Sequence, residues 1–268
     1  MLLQVLKHEL PLILFTVCAP AGVGALWCAT VSAGMGQGGT TLLIAVSLVL
    51  TAVGMLASVI HLAKPLRAPR SISNWKTSWL SREILIVSGF ALLTALCVFL
   101  AMAGWNEVKL ALLVCASVVG LVLLFAISTA YRVHGQPGWD GPEGLLEVLS
   151  ISIAVAFALA GLLEGAIGCI IGFSLTYKSS ADRRERINRL DSSPRVLDVR
   201  KSMQQTHAPR RAYLWLWVAA AVMYAVAYLL GMNELSYLGI ACIFVAAVLL
   251  RACFYALAST ARYVPPAR

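Results

Sequence analysis

Six stretches of about twenty mostly apolar residues dominate this chain, at 10–31, 41–62, 83–103, 108–130, 212–231 and 236–258. A run of that length crosses the roughly 30 Å hydrocarbon core of a bilayer as one helix, because without water every backbone N–H and C=O must bond within its own segment. The first run has 22 residues, longer than the roughly 7–15 of a signal-peptide core, and is taken as a span. Composition agrees. Hydrophobic residues make up 60% of the chain and charged residues 12%, with a mean hydropathy of +0.84. That leaves too little polar surface to cover a water-soluble globule. A soluble enzyme, a disordered regulator and a nucleic-acid-binding domain are excluded, and the net charge of +9 is better explained by loops facing the cytoplasm.

The stretch Leu145–Tyr177 is open to two readings. As one helix its 33 residues would reach about 50 Å, well beyond the hydrocarbon core. As two short spans it would turn within Ala160-Gly161-Leu162-Leu163-Glu164-Gly165, where two glycines flank an acid. Loop charge favours the turn. Residues 63–82 carry Lys64, Arg67, Arg70, Lys76 and Arg82 and no acid, and 178–211 carry ten Lys or Arg against four acids. With a hairpin at 161–165 these segments and both termini share one face, which positive charge marks as cytoplasmic. The expected fold is an all-α integral membrane protein, a bundle of about eight transmembrane helices, or seven if 145–177 is one long helix. It forms a single polytopic domain over 1–268, with a basic polar loop at 178–211 in which Asp182–Arg186 alternates in sign like a solvated helical extension.

Seven cysteines sit inside apolar stretches without a Cys-x-x-Cys pair, a pattern of packing residues rather than of a zinc or iron–sulfur site. Gly22, Gly24, Gly161, Gly165, Gly168 and Gly172 suit close helix packing. Of four histidines only His61 lies at a span end in apolar surroundings, so a bis-histidine haem is not expected. Glu83 opens the following span, 22 residues on, at the same face, and Trp75 and Trp79 lie in the basic loop between. An imidazole, a carboxylate, tryptophans and arginines at one interface suit a quinol headgroup, whose oxidation needs proton acceptors near neutrality. The same residues also suit an ordinary helix start, with Ser81 as N-cap, Glu83 near the dipole and tryptophan anchors. Arg251 lies inside the last span, facing either a partner in the bundle or the interface by snorkelling. Glu147 and Glu164 suit interfacial or turn positions.

Several short runs, in order along nearly the whole chain, resemble the membrane anchor subunit family of dimethyl sulfoxide reductase. They are His8-Glu9-Leu10-Pro11-Leu12, Ser58-Val59-Ile60-His61-Leu62 with Pro65 and Arg67, and Ser78-Trp79-Leu80-Ser81-Arg82-Glu83-Ile84. Arg132-Val133 with Pro137-x-Trp139, and Arg251-x-x-Phe254-Tyr255, follow. The resemblance implies an eight-helix, quinol-oxidising anchor in a bacterial cytoplasmic membrane. Its partners would be a four-cluster iron–sulfur subunit and a molybdopterin catalytic subunit, which hold the metal cofactors; this chain would hold menaquinol but no metal or haem. His61 and Glu83 would bind menaquinol, with Arg67, Arg82 and Trp79 around them. Lys64, Pro65, Arg70 and Lys76 would face the iron–sulfur partner. Alone the chain would have no activity. The alternative is a small transporter or channel using Arg251 and Glu164 as pathway charges.

Overall fold

The computed structural model describes residues 2–61, 75–133 and 135–258. These residues form nine helices: α1 Leu2–Gly34, α2 Thr40–His61, α3 Trp79–Met102, α4 Asn106–Ala130, α5 Glu143–Ala160, α6 Leu162–Arg189, α7 Pro194–Gln205, α8 His207–Leu230 and α9 Glu234–Tyr255. Seven of them (all but α6 and α7) are long and apolar enough to cross a membrane. Each of the six clear apolar runs is one helix, within a few residues of the expected bounds except at the start of α1.

The 145–177 stretch is two helices, α5 and α6, broken at Gly161 and packed against each other. Glu164 lies in the first turn of α6 and folds back over Gly161, where a carboxylate is favourable beside free N–H groups. The 178–211 segment, expected as a loop, is largely helical. Its charges carry α6 on to Arg189, with an Arg189–Glu185 pair one turn apart, and α7 follows. Ile187, Val196, Val199 and Met203 bury an apolar stripe with Leu257, so periodic apolar positions hidden among the charges hold this region to the bundle.

The longest helix, α1, forms the spine. It packs against α2, α4, α5 and α9 and contributes to both large apolar clusters. One cluster joins α1 to α2, α3, α4 and the first part of α5; the other joins it to α5, α6, α8 and α9. Lipid tails are as apolar as leucine, so close packing and interhelical hydrogen bonds must hold these contacts. Ser47 Oγ donates to the Gly22 carbonyl at 2.7 Å, and Ser152 Oγ to the Pro20 carbonyl at 2.8 Å. A Cβ on Gly24 would run into the Ser152 carbonyl and come within 3.1 Å of Ala156 N. Gly165 and Gly239 sit against the buried Tyr224 ring, Gly168 against Phe157 and Gly172 against Trp217, so the small residues do mark helix contacts.

Gly24→Val must push α1 away from the α5 backbone. Overpacking of this kind costs about 1–3 kcal/mol. A lower thermal unfolding midpoint in detergent is expected; an unchanged midpoint would show that α1 and α5 can separate freely at this crossing.

Candidate functional site

Three helices each carry a charged residue one turn inside the same end of the bundle: Glu83 on α3, Glu147 on α5 and Arg251 on α9. Glu83 and Arg251 are 2% exposed and Glu147 is 0% exposed. Arg251 does not snorkel. Its Nη1 donates to Glu147 Oε2 at 3.0 Å and its Nε to Thr16 Oγ1 at 3.1 Å, while its guanidinium lies over the Phe254 ring at 4.2 Å. Glu147 is neither interfacial nor in a turn. Its other oxygen, Oε1, accepts from Arg183 Nη1 at 2.6 Å and Ser179 Oγ at 3.0 Å. Arg183 is 4% exposed, so this part of the 182–186 segment is not a solvated face. Burial works against its charge, but Glu147 and Glu143 outweigh burial and hold its pKa above the ordinary value. One turn outward, Arg186 Nε donates to Glu143 Oε1 at 2.7 Å and its Nη1 to the Pro137 carbonyl at 2.9 Å.

The triad of Arg183, Glu147 and Arg251 carries one more positive than negative charge. Glu83 lies within electrostatic reach of Arg251 and Tyr131. Among the described residues neither Glu83 carboxyl oxygen has a hydrogen-bond partner. Leaving a buried polar group in that state costs about 1–3 kcal/mol, and more for a charge. Tyr131, just beyond α4, sits edge-on to Tyr255 at 5.8 Å between ring centres. Burial pushes the Tyr131 phenol well above its ordinary pKa, so it stays protonated. Trp139 stacks on Phe254 at 5.6 Å, and its Nε1 donates to the Phe254 carbonyl at 2.9 Å.

The local sequence explains how α3 presents Glu83. Ser78, not Ser81, is the N-cap: it is extended, at φ −111° and ψ 122°, and accepts from Ser81 N at 3.4 Å. The helix therefore starts earlier than expected and puts Ser81 and Glu83 on its buried side. Arg82, the neighbour of Glu83, points elsewhere. Its guanidinium donates to the Trp75 carbonyl at 2.8 Å and the Lys76 carbonyl at 2.6 Å, and covers the Trp79 ring at 4.6 Å. Lys76 is exposed. His61 ends α2, but its side chain, with Lys64, Pro65, Arg67 and Arg70, lies outside the described residues. Arg251 and Glu164 are not brought together. Glu164 sits at the turn end of the bundle, and Arg251 lies 17 residues along α9 from that end, about 25 Å away by helical rise.

Sequence reasoning missed Thr16, Tyr131, Glu147, Ser179 and Arg183. A signal was present: Glu143 and Glu147, and Ser179, Arg183 and Arg186, each recur at helical spacing on one face. Among the described residues no three His, Cys, Asp or Glu side chains converge as metal ligands would.

The fold and this site define a multi-pass helical membrane protein with ionised groups held inside one end of its bundle. The chain belongs to the DMSO reductase anchor subunit (DmsC) family, which matches residues 4–185. It is 28% identical over 141 residues to a polypeptide of the anaerobic dimethyl sulfoxide reductase of Haemophilus influenzae, covering 50% of each. It is 31% identical over 139 residues to a polypeptide of the sulfite dehydrogenase of Allochromatium vinosum, covering 46% of this chain and 42% of that one. With the anaerobic dimethyl sulfoxide reductase polypeptide YnfH of Escherichia coli the identity is 30% over 168 residues and 59% of each. The matches thus span about half the length of these curated relatives.

The charge triad makes a quantitative prediction. Glu147→Leu leaves two buried guanidinium groups short of a counter-charge, a loss of about 3–5 kcal/mol for a broken buried pair. Thermal unfolding in detergent should show a large drop for Glu147→Leu and a smaller one for Glu147→Leu combined with Arg251→Leu. Equal drops would mean that the pairing itself contributes nothing.

Proposed function

We propose that this chain is the quinol-oxidising membrane anchor of a molybdopterin and iron–sulfur oxidoreductase of a bacterial cytoplasmic membrane. The carrying observation is Glu83, a carboxyl group buried inside a membrane bundle with both oxygens unpartnered among the described residues. Such a group is costly unless something donates to it. A hydroquinone hydroxyl is a donor of the right chemistry, and the family match raises the weight of that reading.

A hydroquinone gives up two electrons and two protons on oxidation. In this reading one hydroxyl donates to Glu83, which takes the first proton as general base. His61, at the same end of the bundle, accepts the second. Arg82 and Trp79 hold the turn before α3, and with Arg67 they complete the proposed set of quinol-binding residues. The electrons leave to a separate four-cluster iron–sulfur subunit, docked over Lys64, Pro65, Arg70 and Lys76, and from there reach a molybdopterin subunit. Menaquinol is the donor. The basic segments and both termini face the cytoplasm.

Two measurements test this. A mild-detergent purification from native membranes should yield molybdenum and about sixteen irons per complex, as four four-iron clusters require. In that complex His61→Ala and Glu83→Gln should each lower quinol-dependent turnover on the order of 10²-fold or more. Turnover with a soluble artificial donor should stay at the wild-type level. Equal loss with both donors would mean failed assembly and would remove support for the quinol site.

A further inference from the structure

Tyr255 supplies a second anomaly at the same end of the bundle. It is 3% exposed, and among the described residues its hydroxyl has no hydrogen-bond partner. It lies close to Thr16, Tyr131 and Arg251 but makes a well-formed bond with none of them. Tyr255 and Glu83 also share neighbours: each lies within electrostatic reach of both Tyr131 and Arg251. A carboxyl oxygen can accept and a phenol can donate, so the two groups are chemically complementary. Arg251 lies one turn before Tyr255 on α9, with its guanidinium 5.4 Å from the Tyr255 ring centre. The Glu147 and Thr16 bonds fix its guanidinium in place.

We propose that Tyr255 and Arg251 form the second half of the quinol site, facing Glu83 and binding the oxygen that Glu83 deprotonates. This inference rests on the quinol reading above and assigns it two residues from the last helix, outside the stretch the family matches. Before oxidation the hydroquinone hydroxyl donates to Glu83. Its O–H bond then breaks, the proton passes to the carboxylate and negative charge develops on the oxygen. Tyr255 donates to that oxygen, and the uncompensated positive charge of the Arg251–Glu147–Arg183 triad stabilises it. The two electrons leave to the iron–sulfur partner and the second proton to His61, which balances the oxidation. Donors aimed at developing charge in a water-poor site are worth far more than in water.

Tyr255→Phe in the purified complex is the decisive variant, because it removes only a hydroxyl that makes no well-formed hydrogen bond among the described residues. The expected result is a fall in quinol kcat on the order of 10²-fold, as for loss of one such donor, with little change in KM. Artificial-donor turnover and the thermal midpoint should match wild type. Unchanged quinol kcat in Tyr255→Phe, while Glu83→Gln loses quinol turnover, overturns this inference and leaves the Glu83 reading standing. Unchanged quinol turnover in both variants overturns the quinol reading itself. A lowered midpoint with equal loss for both donors makes Tyr255 a packing residue and also overturns the inference.

Discussion

Glu147 is the group around which this bundle is arranged. Both of its oxygens are bound, to Arg251 of α9 on one side and to Arg183 and Ser179 of α6 on the other. Thr16 of α1 receives the remaining Arg251 bond, so four helices meet through one carboxylate. Two charges taken out of water lose several kcal/mol each in hydration, and their attraction repays this only when the geometry is complete. A buried pair is therefore a poor source of stability but a strong constraint on register. Apolar helices that pack on small residues can slide; helices that must bring Glu147, Arg251 and Arg183 together cannot.

The surroundings protect the same cluster. Phe254 lies under both guanidinium groups, at 4.2 Å from Arg251 and 5.4 Å from Arg183, and Trp139 stacks beside it. Cation–π contacts gain in strength where water is excluded. On α1, Pro20 has no N–H to give to the Thr16 carbonyl, one turn before it and in the residue that receives Arg251. Glu83 and Tyr255 lie beside this network, and among the described residues neither has a hydrogen-bond partner at its polar tip.

Much of this was legible in the residues. The apolar runs locate the helices because a bilayer allows no other backbone solution, and the Gly161 break follows from a stretch too long for one span. Glu83 is visible as an acid at a span start beside a basic loop. Other features were hidden for a physical reason. Arg183 sits in a charge-rich segment whose composition indicates solvent, and only the packing of α6 against α5 turns its face inward. Glu147 lies four residues from the start of α5, a place where acids are usually solvated caps. Ser81 yielded the cap to Ser78 because the helix began one turn earlier than its hydrophobicity.

The sequence by itself determined that the chain is a helical membrane bundle, which stretches cross, and that one face is basic. Those properties are local, set by the length of each apolar run and the charge of each connection. Only the tertiary structure decided which charges meet. Glu147 and Arg251 are 104 residues apart, and Thr16 and Arg251 are 235 apart. No periodicity within one helix specifies a partner at such separations; the order in which helices pack around α1 does.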